Sequence, residues 1–231
     1  MTRQTNIGVL ALQGDFAEHV RMLQLAREKF QQKGVDYIVS EVRTVDQLGQ
    51  CDALVIPGGE STAISLIAER TGLLEPLRKF VKVDKKPVWG TCAGMILLSE
   101  RATKTSRGGQ QLIGGLDVTV IRNHFGRQLE SFTMPLKLPF LDDEPHSCVF
   151  IRAPIIQSLD ASIEQETVEA LKAGERGTPQ VIASIPAEQS KDGKETIVAV
   201  RQGNVVGMSF HPELTNDSRV HEWWLQECVK F

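Results

Sequence analysis

The chain has 231 residues, of which 41% are hydrophobic and 24% are charged, and its formal net charge at pH 7 is −3. This length allows one large α/β domain or two small ones, with a substantial core. The near balance of charge gives no support to a nucleic-acid partner or to binding at a membrane surface.

Cysteine spacing and the N-terminal residues predict the compartment. The four cysteines are far apart and include no C-x-x-C pair, which favours neither a zinc knuckle nor a disulfide framework. The N-terminus shows no charged-then-apolar signal pattern, and no apolar run approaches the length that spans a membrane. We therefore expect a cytoplasmic protein with reduced thiols.

The first part of the chain predicts a parallel sheet. Residues 7–12 form a continuous apolar run, which is typical of a strand buried on both faces. Asp15 follows it and is suited to be the N-cap of the next helix. A second strand begins at residue 37, a short helical turn is predicted at 45–48, and another buried strand at 51–57. This alternating order predicts right-handed crossovers and a mostly parallel sheet.

A glycine-rich loop, Pro57-Gly58-Gly59-Glu60-Ser61, follows the third strand. In open α/β sheets, ligands gather outside the carboxyl ends of the strands. Two adjacent glycines allow backbone N–H groups to point into a cavity and to stabilise an oxyanion. The alternative is a simple turn in which Glu60 and Ser61 stabilise a helix N-terminus. Taken alone, the loop favours that alternative.

The next strand runs into a glycine-flanked cysteine, in the run Gly90-Thr91-Cys92-Ala93-Gly94. Helices are predicted at 63–70 and 74–83 before this strand, and an apolar helix from the cysteine to about residue 101 after it. A strand, a sharp turn and a helix form a nucleophile elbow, which exposes one side chain beside a helix N-terminus. That position favours the thiolate. The alternative is that Cys92 is a buried, inert cysteine.

The second half of the chain predicts antiparallel strands. Hydrophobic and polar residues alternate over 116–120 and over parts of 131–138 and 148–152. Residues 196–200 and 205–210 predict a hairpin with Gly203-Asn204 at its turn. An amphipathic helix over 220–229 is expected to pack on the sheet, with its two tryptophans in the core.

A histidine and a carboxylate follow the last strand, as Phe210-His211-Pro212-Glu213. In extended backbone, residues two apart point to the same side, so His211 and Glu213 are expected to face one cavity. A carboxylate holds a neighbouring imidazole in one tautomer and makes it a better base. The alternative is a structural histidine at the end of a strand. His19 and His221, on the first and last helices, are interpreted as structural.

Three of these stretches resemble the signatures of class I, triad-type glutamine amidotransferases. They are Gly90-Thr91-Cys92-Ala93-Gly94, the Pro57–Ser61 loop and Ser209-Phe210-His211-Pro212-Glu213. Residues 10–14, 122–128 and 150–154 resemble, more narrowly, the glutaminase subunits of pyridoxal 5′-phosphate synthases. The resemblance runs in order from residue 7 to the last helix. It implies one glutamine amidotransferase domain over residues 1–231, with a flavodoxin-like, three-layer α/β fold and an antiparallel extension of its parallel sheet. Two features depart from the family: residues 164–193 look longer, and His124 stands where a small residue is expected.

The resemblance also implies a mechanism. Cys92 would attack the carboxamide of L-glutamine, with His211 as base and then acid and with Glu213 orienting His211, through a γ-glutamyl thioester. The oxyanion would be held by backbone N–H groups of Gly58, Gly59 and Ala93. The residues implied to bind glutamine are Gly59, Glu60, Ser61, Arg122, Ile151 and Arg152.

Ammonia would then pass to a (β/α)₈-barrel pyridoxal 5′-phosphate synthase subunit, within a large hetero-oligomer. The resemblance implies no cofactor, metal, nucleic acid or membrane partner for this chain itself.

Two alternatives stay open. One is a glutaminase that serves another synthase, or a γ-glutamyl hydrolase with the same triad, against which residues 123–128 and 151–154 argue. The other is a non-catalytic binding protein that kept the fold, which the intact set of Cys92, His211 and Glu213 disfavours.

Overall fold

The structure is a computed structural model that describes residues 4–103, 110–122, 131–159, 177–190 and 193–230. The family-like stretch at 123–128, His124 and half of the longer segment at 164–193 lie outside the described residues. Among the residues that are described, no helix is long and apolar enough to cross a membrane.

A parallel sheet is formed by the first strands of the chain, as their apolar runs predict. These strands are β1 (Thr5–Leu10), β2 (Tyr37–Val42), β3 (Ala53–Ile56) and β4 (Val88–Thr91), and they lie in the order β2-β1-β3-β4. All three pairings between them are parallel. The carboxyl ends of β1, β3 and β4 therefore meet at one edge of the sheet, and the loops that follow them lie side by side.

Helices connect these strands. They are α1 (Phe16–Gln31), α2 (Val45–Gly49), α3 (Ser61–Arg70), α4 (Leu74–Lys82) and α5 (Ala93–Leu98). The prediction that the helix after Cys92 extends to about residue 101 is wrong. The helix ends where Ser99 turns extended and its hydroxyl donates to the Ile96 carbonyl oxygen at 2.7 Å. The chain then continues as the edge strand β5 (Ser99–Ala102).

The strands of the second half of the chain form the rest of the sheet and a separate hairpin, and the strand at 155–159 was not predicted from the sequence. The strands are β6 (Leu116–Ile121), β7 (Ser131–Leu136), β8 (His146–Ile151), β9 (Ile155–Leu159), β10 (Gln180–Ile185), β11 (Thr196–Gln202) and β12 (Val205–Met208). β12 lies parallel to β4, and from there the sheet continues as β11-β9-β6-β5, with β10 also paired to β11. β11 and β12 form the hairpin predicted around Gly203-Asn204. β7 and β8 pair only with each other among the described strands.

The sheet separates two apolar layers. In β3, Ala53 and Val55 face one layer, whereas Leu54 and Ile56 face the other, as the period-two geometry of a strand requires. The first layer holds α1 and the last helix α6 (Arg219–Trp224), which continues as a π-helical turn over Leu225–Val229. The second holds α3, α4 and α5. The result is the three-layer α/β fold that was predicted.

Candidate active site

Cys92 occupies a strained turn between β4 and α5. Its backbone has φ 47° and ψ −102°, in a region that non-glycine residues rarely adopt and that is frequent at functional sites. The Cys92 amide donates to the Met208 carbonyl oxygen at 2.7 Å, which ties the turn to β12. A Cβ at Gly94 would overlap the carbonyl oxygen of Ile56, so only glycine allows α5 to pack this closely on β3. The geometry is that of a nucleophile elbow.

His211 and Glu213 lie next to each other in the interior, with side chains 3% and 0% exposed. His211 Nδ1 is 2.7 Å from Glu213 Oε1. The extended backbone expected for this pair is not present, because β12 ends at Met208 and Pro212–Leu214 form a turn of 3₁₀ helix. Proline fixes φ near the helical value and needs no N–H partner at the first helical position, so Pro212 starts the turn. The pair meets through this turn instead of through strand alternation.

The electrostatics of the pair favour an imidazolium beside a carboxylate. Burial by itself would lower the pKa of His211, but interactions with Cys92 and Glu213 outweigh it and raise that pKa to about 11. Burial would likewise raise the pKa of Glu213, but His19 and the hydrogen bond to His211 hold it below its ordinary value. The His211–Glu213 pair is therefore suited to hold a proton on the imidazole.

Asp15 is a further carboxylate near His211. It stands at the N-cap position of α1 as predicted, but its side chain makes no capping hydrogen bond. Instead Asp15 Oδ2 lies 3.5 Å from His211 Nδ1. Ligand atoms of Asp15, His211 and Glu213 lie within 4.8 Å of one another, so these three could hold a metal ion. Such an ion would have to displace the hydrogen bond between His211 and Glu213, and the set is better suited to holding an imidazolium.

The glycine loop packs directly against His211. A Cβ at Gly58 would overlap the His211 ring. The loop is held by the segment between β1 and α1, because the Glu60 amide donates to Gln13 Oε1 at 2.8 Å. The Glu60 carboxylate accepts hydrogen bonds from the amides of Thr62 at 3.1 Å and Ala63 at 2.6 Å. Glu60 therefore caps α3, which is the alternative role that the sequence left open for it.

A cavity of about 190 Å³ lies between this loop and the end of β8. Its lining contains all six residues implied by the family resemblance to bind glutamine, together with two that the sequence did not single out. The residues are Gly59, Glu60, Ser61, Thr62, Ile96, Arg122, Ile151 and Arg152. Cys92 Sγ is 4.0 Å from the Ile151 carbonyl oxygen, so the thiol lies beside this cavity.

Arg122 brings a cation into the cavity wall. Its side chain is only 11% exposed, and the nearest carboxylate oxygen recorded for it among the described residues, on Glu60, is 3.9 Å away. Arg122 Nη2 donates to the hydroxyls of Ser61 at 2.6 Å and Thr62 at 3.1 Å. Both hydroxyls in turn donate to Gln110 Oε1. Guanidinium groups bind carboxylates by paired, charge-assisted hydrogen bonds, so the cavity is suited to a ligand carboxylate.

The sequence missed several of these contacts. Gln110 and Thr62 carry no motif that separates them from ordinary polar residues, although Thr62 directly follows the glycine loop. His19, which was interpreted as structural, lies with Nε2 3.3 Å from Glu213 Oε2. Its helical spacing indicated a buried face of α1 and gave no sign of what that face contacts.

A larger cavity, of about 650 Å³, lies between α2 and α4 and holds no comparable chemistry. Its charged groups are already paired: Lys79 contacts Asp84 at 2.6 Å, and Lys86 donates to the Cys51 carbonyl oxygen at 2.6 Å. The smaller cavity beside Cys92 is therefore the candidate active site.

Known glutamine amidotransferases and pyridoxal 5′-phosphate synthase subunits are similar to this chain over most of its length. The SNO glutamine amidotransferase family matches residues 9–230. The pyridoxal 5′-phosphate synthase subunit PdxT of Pyrococcus furiosus is 41% identical over 224 residues, which are 96% of this chain and 98% of that protein. A probable pyridoxal 5′-phosphate synthase subunit of Arabidopsis thaliana is 41% identical over 95% of this chain and 84% of its own length. A crystal structure of a glutamine amidotransferase superposes with a TM-score of 0.71 at 37% identity, covering 95% of this chain and 97% of that one.

Proposed function

The chain belongs to the SNO glutamine amidotransferase family, and on that premise we propose that it hydrolyses L-glutamine through Cys92, His211 and Glu213 and delivers ammonia to a pyridoxal 5′-phosphate synthase subunit. The observation that carries the proposal is the geometry of one small region. The His211–Glu213 pair, at 2.7 Å, and the strained elbow at Cys92 adjoin a cavity lined by the glutamine-binding residues of the family pattern.

Substrate binding follows from the cavity wall. The Arg122 guanidinium binds the α-carboxylate of glutamine, since its hydrogen bonds go to hydroxyls and its Glu60 partner is 3.9 Å away, too far for a hydrogen bond. The polar loop from Gly59 to Ser61 and the backbone of Ile151 and Arg152 position the rest of the amino acid. The side-chain carboxamide then extends toward Cys92, which is 4.0 Å from the Ile151 carbonyl oxygen.

The first chemical step forms a thioester. The Cys92 thiolate attacks the carboxamide carbon, and the negative oxygen of the tetrahedral intermediate accepts hydrogen bonds from backbone N–H groups of Ala93 and the Gly58-Gly59 turn. The imidazolium of His211 gives its proton to the nitrogen as the C–N bond breaks. Ammonia leaves, and a γ-glutamyl thioester stays on Cys92.

The second step consumes water. His211, now neutral, takes a proton from the water molecule that attacks the thioester carbonyl, and the thiolate of Cys92 leaves. Glutamate is released, and the imidazolium–thiolate pair forms again. Throughout, Glu213 keeps the imidazole in one orientation and stabilises its positive charge from Nδ1.

Ammonia needs a protected route to its acceptor. Free ammonia is protonated in neutral water and loses its nucleophilicity, so a synthase subunit bound at the cavity is expected to receive it directly. The names of the Pyrococcus furiosus and Arabidopsis thaliana relatives, both pyridoxal 5′-phosphate synthase subunits, support this partner. We propose that the partner is a (β/α)₈ barrel that assembles with this chain into a hetero-oligomer.

The chemistry is tested by measuring glutamate release from glutamine, with and without a pyridoxal 5′-phosphate synthase barrel. Wild type should release glutamate and Cys92→Ala should not. Cys228→Ala is the matched control, because Cys228 is also buried but lies in the last helical segment. Equal activity of Cys92→Ala and wild type would rule out the nucleophile. If the barrel neither forms a complex nor increases glutamate release, the assignment of this partner is wrong.

A further inference from the structure

Glu213 has a second histidine partner that the proposed mechanism does not use. One carboxylate oxygen, Oε1, is engaged by His211. The other, Oε2, is fully buried and has no hydrogen-bond partner among the described residues, and His19 Nε2 lies 3.3 Å from it, in electrostatic contact but without hydrogen-bond geometry. A buried carboxylate oxygen without a hydrogen bond is costly, so a polar ring nitrogen at this distance offsets part of that cost.

His19 is itself held by two partners. Its Nε2 is 3.0 Å from Thr91 Oγ1, at the end of β4 directly before Cys92. Its Nδ1 is 3.1 Å from Nε2 of His221 on α6. Both rings are 0% exposed, and each meets Trp89 edge to face, at centroid distances of 5.3 Å for His19 and 4.8 Å for His221. The ring therefore has little freedom to rotate.

These contacts specify one tautomer. A lone pair on His19 Nε2 would face the negative Oε2 at 3.3 Å, so this nitrogen carries the proton, which it donates to Thr91 Oγ1 on the side of the ring that faces Glu213. His19 Nδ1 is then an acceptor, and His221 Nε2–H donates to it. His221 Nδ1 has no hydrogen-bond partner among the described residues. In this tautomer it carries no proton, so no N–H group of this ring is buried without an acceptor.

We propose that His19 is a positioning residue of the triad, which acts on Cys92 chemistry by holding Glu213 ionised and aimed at His211, and that His221 sets the tautomer that lets it do so. The inference rests on the proposed function. His19 stays neutral: burial, together with His221 and His211, lowers its pKa to about 3 against the opposing pull of Glu213. Its contribution is thus an N–H dipole and not a second positive charge.

The test compares two replacements of His19. His19→Gln can place an amide N–H near the position of Nε2, whereas His19→Met fills similar space without a donor. His19→Met removes the N–H that faces the buried carboxylate oxygen, so it should lower kcat roughly 10-fold with KM within threefold. His19→Gln should recover most of this loss. His146→Gln is the control, because His146 is also 0% exposed but pairs with Asp217.

A pH profile separates positioning from packing. The charged and titratable groups facing Glu213 are His211 and His19, with Asp15 near His211 and His221 behind His19. Loss of the His19 dipole raises the pKa of Glu213, so the acidic limb of kcat/KM should move to higher pH by about one unit in His19→Met. The rate at which iodoacetamide alkylates Cys92, read by mass spectrometry, should shift in the same direction.

A double variant tests the route of the effect. If His19 acts through Glu213, adding His19→Met to Glu213→Gln should lower kcat by less than threefold. Three results would overturn the inference. The first is a double variant whose loss of kcat equals the product of the two single losses. The others are an unshifted pH profile of His19→Met and equal losses of kcat in His19→Met and His146→Gln. If wild type releases no glutamate at all, the proposed function fails, whereas the alkylation profile still decides the role of His19.

Discussion

Replacing Gly58 by alanine is expected to lower activity without substituting any of the three proposed catalytic residues. The φ angle of Gly58 lies outside the left-handed region, so alanine can adopt the backbone. Its new Cβ would, however, stand 2.8 Å from His211 Nδ1 and still closer to Cε1. Ordinary contact begins near 3.4 Å, so the ring or the loop must move by at least half an ångström or so.

The magnitude follows from that displacement. A misplacement of about 1 Å can cost roughly 100-fold in rate, so kcat/KM of Gly58→Ala should fall about 10- to 100-fold. Overpacking of this kind costs about 1–3 kcal/mol, which for a chain of this size lowers Tm by roughly 2–12 °C. The loss should appear mainly in kcat, because the substitution displaces the His211 ring and leaves the side of the cavity that contains Arg122 unchanged.

The assay is glutamate release at saturating synthase barrel, with thermal unfolding measured in parallel. Gly49→Ala is the matched control, because a Cβ there meets nothing within 4 Å and its φ is also outside the left-handed region. That variant should match wild type in both measurements. Wild-type kcat in Gly58→Ala, or equal losses in the two variants, would refute the argument from steric contact with His211.

Three further predictions concern substrate binding and the buried charges. Arg122→Met should raise KM for glutamine roughly 10- to 100-fold with a smaller effect on kcat, since it removes a charge-assisted contact to the substrate carboxylate; an unchanged KM would exclude that role. Stability should fall as pH decreases from about 6.5 toward 3, because His19 and His221 stay neutral when folded, with pKa values of about 3, but bind protons when unfolded. The slope is about 1.4 kcal/mol per pH unit for each histidine, and urea unfolding of His19→Gln should show a shallower one. Stability should also decline as pH rises from about 6.5 toward 11, because the pKa of His211, against the effect of burial, is raised to about 11 by Cys92 and Glu213; His211→Asn should lose this dependence.

Local patterns were enough for much of the fold. Continuous apolar runs predicted β1, β3 and β4 as buried parallel strands, because such strands are covered on both faces. Alternation predicted the antiparallel strands that follow. The elbow at Cys92 was also readable, since its small neighbours reflect close backbone contacts that a Cβ would block.

Other features depended on neighbours that the local sequence does not reveal. The apolar helix after Cys92 ends at Leu98 because residues 99–102 pair with β6. The apposition of His211 and Glu213 was predicted, but the extended backbone assumed for it was wrong, since Pro212 begins a 3₁₀ turn. Asp15 stands at an N-cap position, yet its carboxylate lies near His211.

By itself, the sequence determined the strands of the parallel half, the elbow and the pairing of a histidine with a carboxylate, because each depends on residues close together in the chain. Only the tertiary structure decided which residues contact Glu213 besides His211. His19 and His221 are 202 residues apart in sequence, yet packing of α1 against α6 brings their rings within 3.1 Å, with Glu213 3.3 Å from His19. Helical periodicity predicts that such residues are buried, because burial depends on the pattern of one helix. It does not predict which residues they contact, because a contact also depends on how a second helix is placed.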